Sequence, residues 1–136
     1  MSVLVLDSEA LWRLAHHRAG RTDATQAAVT AALAHDVDVV VPAAVLAELY
    51  RGARYDQAVD ACLGRYGDIV VVSTTRTLAR RIGHLLARAG RSSADHVDAT
   101  VVAVAVAAGG GVIATGDPDD IKAIAGDEPG VGVEQV

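Results

Sequence analysis

The stretch GGGVIATGDPDD, residues 109–120, decides how the chain is read. Three glycines end whatever helix precedes them. A short Val-Ile-Ala run follows with no polar alternation, the pattern of a parallel strand covered on both faces. Directly behind it stand Asp117, Asp119 and Asp120, three like charges within four positions. Carboxylates crowded in this way repel one another unless solvent screens them or a cation lies between them.

Working outward, similar Val- and Ile-rich runs occur at 3–6, 37–41 and 69–72, with a weaker fifth at 131–133. Helical segments lie between them. Pro42 opens one through AAVLAELYRG, with Gly52 as its expected end, and TTRTLARRIGHLLARAG places Leu78, Ile82, Leu85 and Leu86 on one stripe before Gly90. SADHVDATVVAVAVAAG, with Ser93 as its expected cap, is apolar nearly all round after Asp98 and predicts a central, buried helix. Residues 24–35 and 56–66 are further helical candidates. Strands alternating with helices predict an open α/β fold on a parallel sheet, in one domain spanning 1–136.

Composition narrows the function classes. The chain has 136 residues, 51% of them hydrophobic, without a single Phe, so Val, Ala, Leu and Ile must build the core. Disorder is expected only in the acidic, Gly-rich tail from 126 onward. The net charge of −5 argues against a general nucleic-acid binder, yet all basic residues except Lys122 are arginine, the better fork for phosphate. Cys62 stands alone, which excludes an internal disulfide and a cysteine-only zinc site and predicts a buried, inert thiol. The N-terminus has no signal-peptide pattern. The apolar run 99–115 is near the lower limit for a membrane span but is broken by glycines. A cytoplasmic protein is expected.

Four acids stand out by position. In open α/β sheets, ligands bind beyond the carboxyl ends of the strands. Asp7 follows the first strand and Asp117 follows VIAT, so both are expected at one edge. Glu48 lies in the helix after VVVP among Val45, Leu46 and Leu49, and is expected to be only partly solvated. Asp98 lies among Val97, Val101 and Val102 with no Lys or Arg one helical turn away, so its charge is costly unless a cation offsets it. Each acid also has an ordinary structural reading. Asp7 can cap a helix, Glu48 can pair with Arg51 or Arg54, Asp117 can begin the turn at Pro118, and Asp119 and Asp120 can cap DIKAIAG. A set of three or four carboxylates suits hard divalent ions such as Mg²⁺ or Mn²⁺, which clamp a phosphodiester during hydrolysis.

The order Asp, Glu, Asp, Asp in VLVLDSEAL, VPAAVLAELYRG and HVDATVVAVAVAAGGGVIATGDPDDI resembles the PIN-domain ribonucleases, most closely the VapC-type toxins of bacterial toxin–antitoxin pairs. The resemblance spans nearly the whole chain. It implies a three-layer α/β/α sandwich with a mostly parallel central sheet, and a Mg²⁺- or Mn²⁺-dependent endoribonuclease. It carries catalytic and metal-binding roles onto Asp7, Glu48, Asp98 and Asp117, with Thr115, Asp120 and Asp95 as auxiliaries. It further implies an RNA substrate, a small VapB-like antitoxin and a homodimer, with no membrane.

Outside the acids, Arg80, Arg81 and Arg88, with Arg76 and Arg91, make one helix and its exit basic, either as a solvated face or as a rim that follows RNA phosphates. Arg13 is another candidate for contact with RNA or a partner. The five histidines lack metal-ligand spacing and are taken as surface or packing residues, and Trp12 is expected to pack in the core or in a dimer contact. Two other functions compete with the nuclease. A receiver-type Mg²⁺-binding signalling domain fits poorly, because Ser8 follows Asp7 and Lys122 sits inside a helix. A catalytically silent PIN-like binding module would tolerate a missing acid, whereas all four are present.

Overall fold

The computed structural model describes residues 2–18, 20–21 and 23–136. Five strands form one sheet in the order β3-β2-β1-β4-β5, and every neighbouring pair is parallel. The strands are β1 (Val3–Leu6), β2 (Asp38–Pro42), β3 (Val70–Val72), β4 (Gly111–Thr115) and β5 (Val131–Gln135). Seven helices connect them among the described residues: α1 (Ser8–Ala15), α2 (Ala24–Ala34), α3 (Ala43–Leu49), α4 (Ala53–Arg65), α5 (Arg76–Ala89), α6 (His96–Ala107) and α7 (Pro118–Ala125).

From β1 the chain moves outward through β2 to β3, then returns to the other side of β1 for β4 and β5. Right-handed crossovers put α1–α4 on one face and α5–α7 on the other, in agreement with α1 packing on α2, α3 and α4 while α5, α6 and α7 pack on one another. The result is the expected three-layer α/β/α sandwich. The reversal of direction falls between β1 and β4, and the crevice at their carboxyl ends is where such sheets bind ligands.

β1 is buried along its whole length, and α6 buries Ala99, Thr100, Val101, Val102, Ala103, Val104 and Ala105 against the sheet. Each fully buried Val or Leu contributes about 1.5–3 kcal/mol of hydrophobic stabilisation, so α6 is anchored firmly and its first turn is held with it. No helix among the described residues is long and apolar enough to cross a membrane.

Several expectations are corrected. Val70 and Val71 are exposed, because β3 is an edge strand and only one side of it is paired. The tail is not without structure: β5 pairs with β4 from Gly111↔Val131 to Thr115↔Gln135. Gly52 does not end α3, which stops at Leu49; at φ 122 it precedes Ala53 and begins α4, in a backbone conformation other residues rarely adopt. Ser92, not Ser93, supplies the capping hydroxyl before α6, to Ala94 N–H at 3.2 Å, at the start of a short 3-10 turn (Ser93–Asp95). Trp12 is 46% exposed and therefore not a core residue.

Candidate active site

Asp7 is the first residue past β1, and its N–H donates to the Ala114 carbonyl of β4 at 3.1 Å. Its side chain caps α1, with Oδ1 accepting from Ala10 N–H at 2.8 Å, so the capping reading is correct. The cap does not neutralise it. Asp7 is 7% exposed, and burial raises its pKa above the usual carboxylate value. The Thr115 hydroxyl and the Ala10 and Gly116 amides pull the other way, while Glu9 adds to the rise. Gly116 lies against the Glu9 side chain, and a Cβ at position 116 would meet Glu9 Cβ at 2.8 Å, so glycine is what lets α1 close over the end of β4.

Thr115 is fully buried, and its Oγ1 accepts from Asp117 N–H at 2.9 Å. It therefore connects the Asp7 carboxylate to the turn that starts α7. Asp98, in the first turn of α6, is half-buried, and its pKa is pushed up to about 6. Burial is the largest cause, followed by repulsion from Asp120, Asp7, Asp95 and Glu48. Four other carboxylates, from the end of β1, α3, the turn before α6 and α7, thus act on Asp98.

Glu48 is exposed, contrary to the expectation of partial solvation, and it forms no ion pair with Arg51 or Arg54 among the described residues. Arg51 Nε donates instead to the Glu48 backbone carbonyl at 2.9 Å. The Glu48 carboxylate accepts a hydrogen bond from the Ser8 hydroxyl, which ties α3 to the start of α1. Sequence reasoning did not single out Ser8, since forty positions separate it from its partner.

The acids around α7 exchange their expected places. Asp117 is the cap, accepting from Asp120 N–H at 3.5 Å, and Asp119 and Asp120 lie within the first turn. Asp117 is exposed and is not among the carboxylates that act on Asp98, whereas Asp120 is foremost among them. Asp95 makes no side-chain capping bond. Arg91 reaches both auxiliaries, with Nη1 3.3 Å from Asp120 Oδ1 and 3.6 Å from Asp95 Oδ2. Asp7 and Asp98 have no ion-pair partner among the described residues.

An all-oxygen donor set of this kind fits a hard divalent cation, and the raised pKa values of Asp7 and Asp98 mark charge that a cation would relieve. As they stand, however, no three His, Cys, Asp or Glu side chains among the described residues are close enough to hold an ion. Glu48 is held by Ser8 and Asp120 by Arg91.

The arginine candidates lie elsewhere. Arg80, Arg81 and Arg88 line a concavity of about 360 Å³ with Thr77 and His84, but Arg88 is already bound to Glu128 at 2.9 Å and to the Ala125 carbonyl at 3.1 Å. Arg13 pairs with Glu9 at 3.0 Å. Cys62 is buried, as expected, and its thiol pKa is pushed up to about 11 by that burial.

Comparison with known proteins agrees with this fold. No curated protein matches the chain. Among solved structures, it is similar to VapBC2 of Rickettsia felis bound to a DNA fragment from its promoter, with a TM-score of 0.69 at 15% identity over 98% of each chain. It is also similar to DNA-bound VapBC of Salmonella typhimurium, with a TM-score of 0.66 at 16% identity over 99% of this chain and 98% of that one. At such identities the likeness is one of fold. The sequence model of the PIN domain matches residues 4–127, from within β1 to just past α7, and the chain belongs to the PIN domain family.

Proposed function

We propose that the protein is a metal-dependent endoribonuclease, the toxin of a VapBC-type pair, using Mg²⁺ or Mn²⁺. The observation that carries this reading is the state of Asp98: a half-buried carboxyl raised to about 6, ringed by four other carboxylates and paired with no cation among the described residues. PIN domains are generally nucleases, and the two similar structures contain VapBC assemblies.

In this reading Asp7 and Asp98 hold the ion, joined by Glu48 and by an acid of the α7 turn, Asp117 or Asp120. A bound divalent cation would supply the positive charge that the carboxylates lack and that a phosphodiester develops on hydrolysis. The chain's own residues do the rest. Thr115 and the Ala10 amide fix the orientation of Asp7, as outer partners of metal ligands commonly do. Glu48, exposed and accepting from Ser8, would take the proton from an attacking water at its carboxylate. Water adds to phosphorus, one ester P–O bond breaks, and the departing oxygen is protonated. Arg80 and Arg81 would follow the RNA backbone, and a VapB-like antitoxin and a second copy of the chain would be its protein partners.

A catalytically silent binding module is the second reading, favoured by the lack of a ready-made three-ligand set among the described residues. Cleavage of total RNA with and without EDTA separates the two. The wild type should cut only with the divalent ion, and Asp98→Asn should lose cleavage while keeping its circular dichroism spectrum. Equal cleavage by the variant would reject the site.

A further inference from the structure

Trp12 is the chain's only tryptophan, in a sequence that is 3% aromatic, and it stands 46% exposed on α1. Its ring stacks on His16, with centroids 4.4 Å apart and planes 24° from parallel. The stack is built in: His16 Nδ1 lies 2.8 Å from the Trp12 carbonyl, which requires that nitrogen to carry the proton and donate. The pair borders a concavity of about 550 Å³ lined also by Arg13, His17, Arg18, Arg21, Glu9 and Asp23. Of the two acids, Glu9 is paired with Arg13, and Asp23 is engaged by the Thr25 and Gln26 amides as the cap of α2. Asp23 keeps its charge, so the lining carries three arginines against two carboxylates, and none of the ion pairs among the described residues includes Arg18 or Arg21.

The concavity is continuous in sequence with the candidate active site. Ser8, Trp12 and His16 are spaced four apart, so they lie above one another along one side of α1. Ser8 touches Glu48, and Trp12 is about 6 Å further along the helix axis at 1.5 Å per residue. We propose that this aromatic and arginine-lined concavity is a subsite for single-stranded RNA, in which a base beside the cleaved linkage stacks on Trp12 while Arg18 and Arg21 take adjacent phosphates. An exposed ring stack beside arginines is how sequence-tolerant single-strand binding is built. Flat aromatic surface beside positive charge suits a nucleotide better than an apolar peptide. The inference rests on the nuclease reading for the class of ligand.

Because Trp12 is the sole tryptophan, its fluorescence reports on this surface directly. Titration of the whole protein in EDTA with oligoadenylate should quench the emission saturably, and an abasic strand of equal length should quench it far less. By anisotropy of a labelled strand, Trp12→Ala should weaken binding by about tenfold or more and Trp12→Phe should restore most of it. Arg18→Ala and Arg21→Ala should each lower the salt dependence of binding by about one ion. Absence of quenching by oligoadenylate, equal quenching by the abasic strand, or a response only to a protein partner would each overturn the proposal. Failure of cleavage with quenching intact would count against the nuclease reading alone, and cleavage without quenching would count against the subsite alone.

Discussion

Asp7 and Asp98 share one cluster with Asp95 and Asp120, yet the two pairs stand in opposite electrostatic positions. Arg91 reaches both Asp95 and Asp120 from the segment after α5, and these two carboxylates are at ordinary partly solvated sites. Asp7 and Asp98 are set on the most buried elements, β1 and α6, and none of the ion pairs among the described residues includes them. Both have raised pKa values with desolvation as the leading cause. Sites that carry such uncompensated charge at a topological switch point are functional-site candidates on physical grounds. The difference separates carboxylates paired with a cation from carboxylates that have no such partner among the described residues.

Removing support from the uncompensated pair should have the larger effect. Thr115→Val keeps the volume of the side chain but deletes the hydroxyl that steadies Asp7 and accepts from Asp117 N–H. Divalent-ion affinity and cleavage should each fall by roughly 10–100-fold, the usual cost of losing an outer partner of a metal ligand, as read by calorimetry and initial rates. Unchanged affinity would mean that Thr115 merely fills space. Removing the cation of the compensated pair should matter less. Arg91→Ala breaks two partly solvated ion pairs and should destabilise the fold by about 0.2–1 kcal/mol each in chemical denaturation, less at high salt. A loss well above that range would place Arg91 in the folding core.

How much of this was legible in the sequence follows from range. The parallel sheet was readable because strands buried on both faces leave unbroken apolar runs, and β1 is such a strand throughout. The edge strands betrayed that rule: Val70 and Val71 look like core residues until their neighbour count is known from topology. Asp7 and Asp98 were readable from local context alone, one by following a strand and the other by interrupting an apolar helix. Asp117 was expected in the main set with Asp120 as an auxiliary, yet it is Asp120 that acts on Asp98, and this depends on Asp117 serving as the cap and setting the phase of α7. The Ser8–Glu48 bond and the Arg91 bridge to Asp120 join positions 40 and 29 apart, and no periodicity announces them. Of the two expectations for Trp12, a core place is ruled out, because the ring stands exposed beside arginines on the open side of α1.

The proposal that Asp7 and Asp98 bind a divalent cation is tested most directly by calorimetric titration of Mn²⁺ into the chelator-stripped protein across pH. Saturable binding is expected at neutral pH, weakening as the pH falls through about 6, because Asp98 then takes up a proton and loses the charge that attracts the ion. Asp98→Asn should abolish the heat while remaining folded. No binding at neutral pH, or binding that is equally strong in Asp98→Asn, would contradict the account.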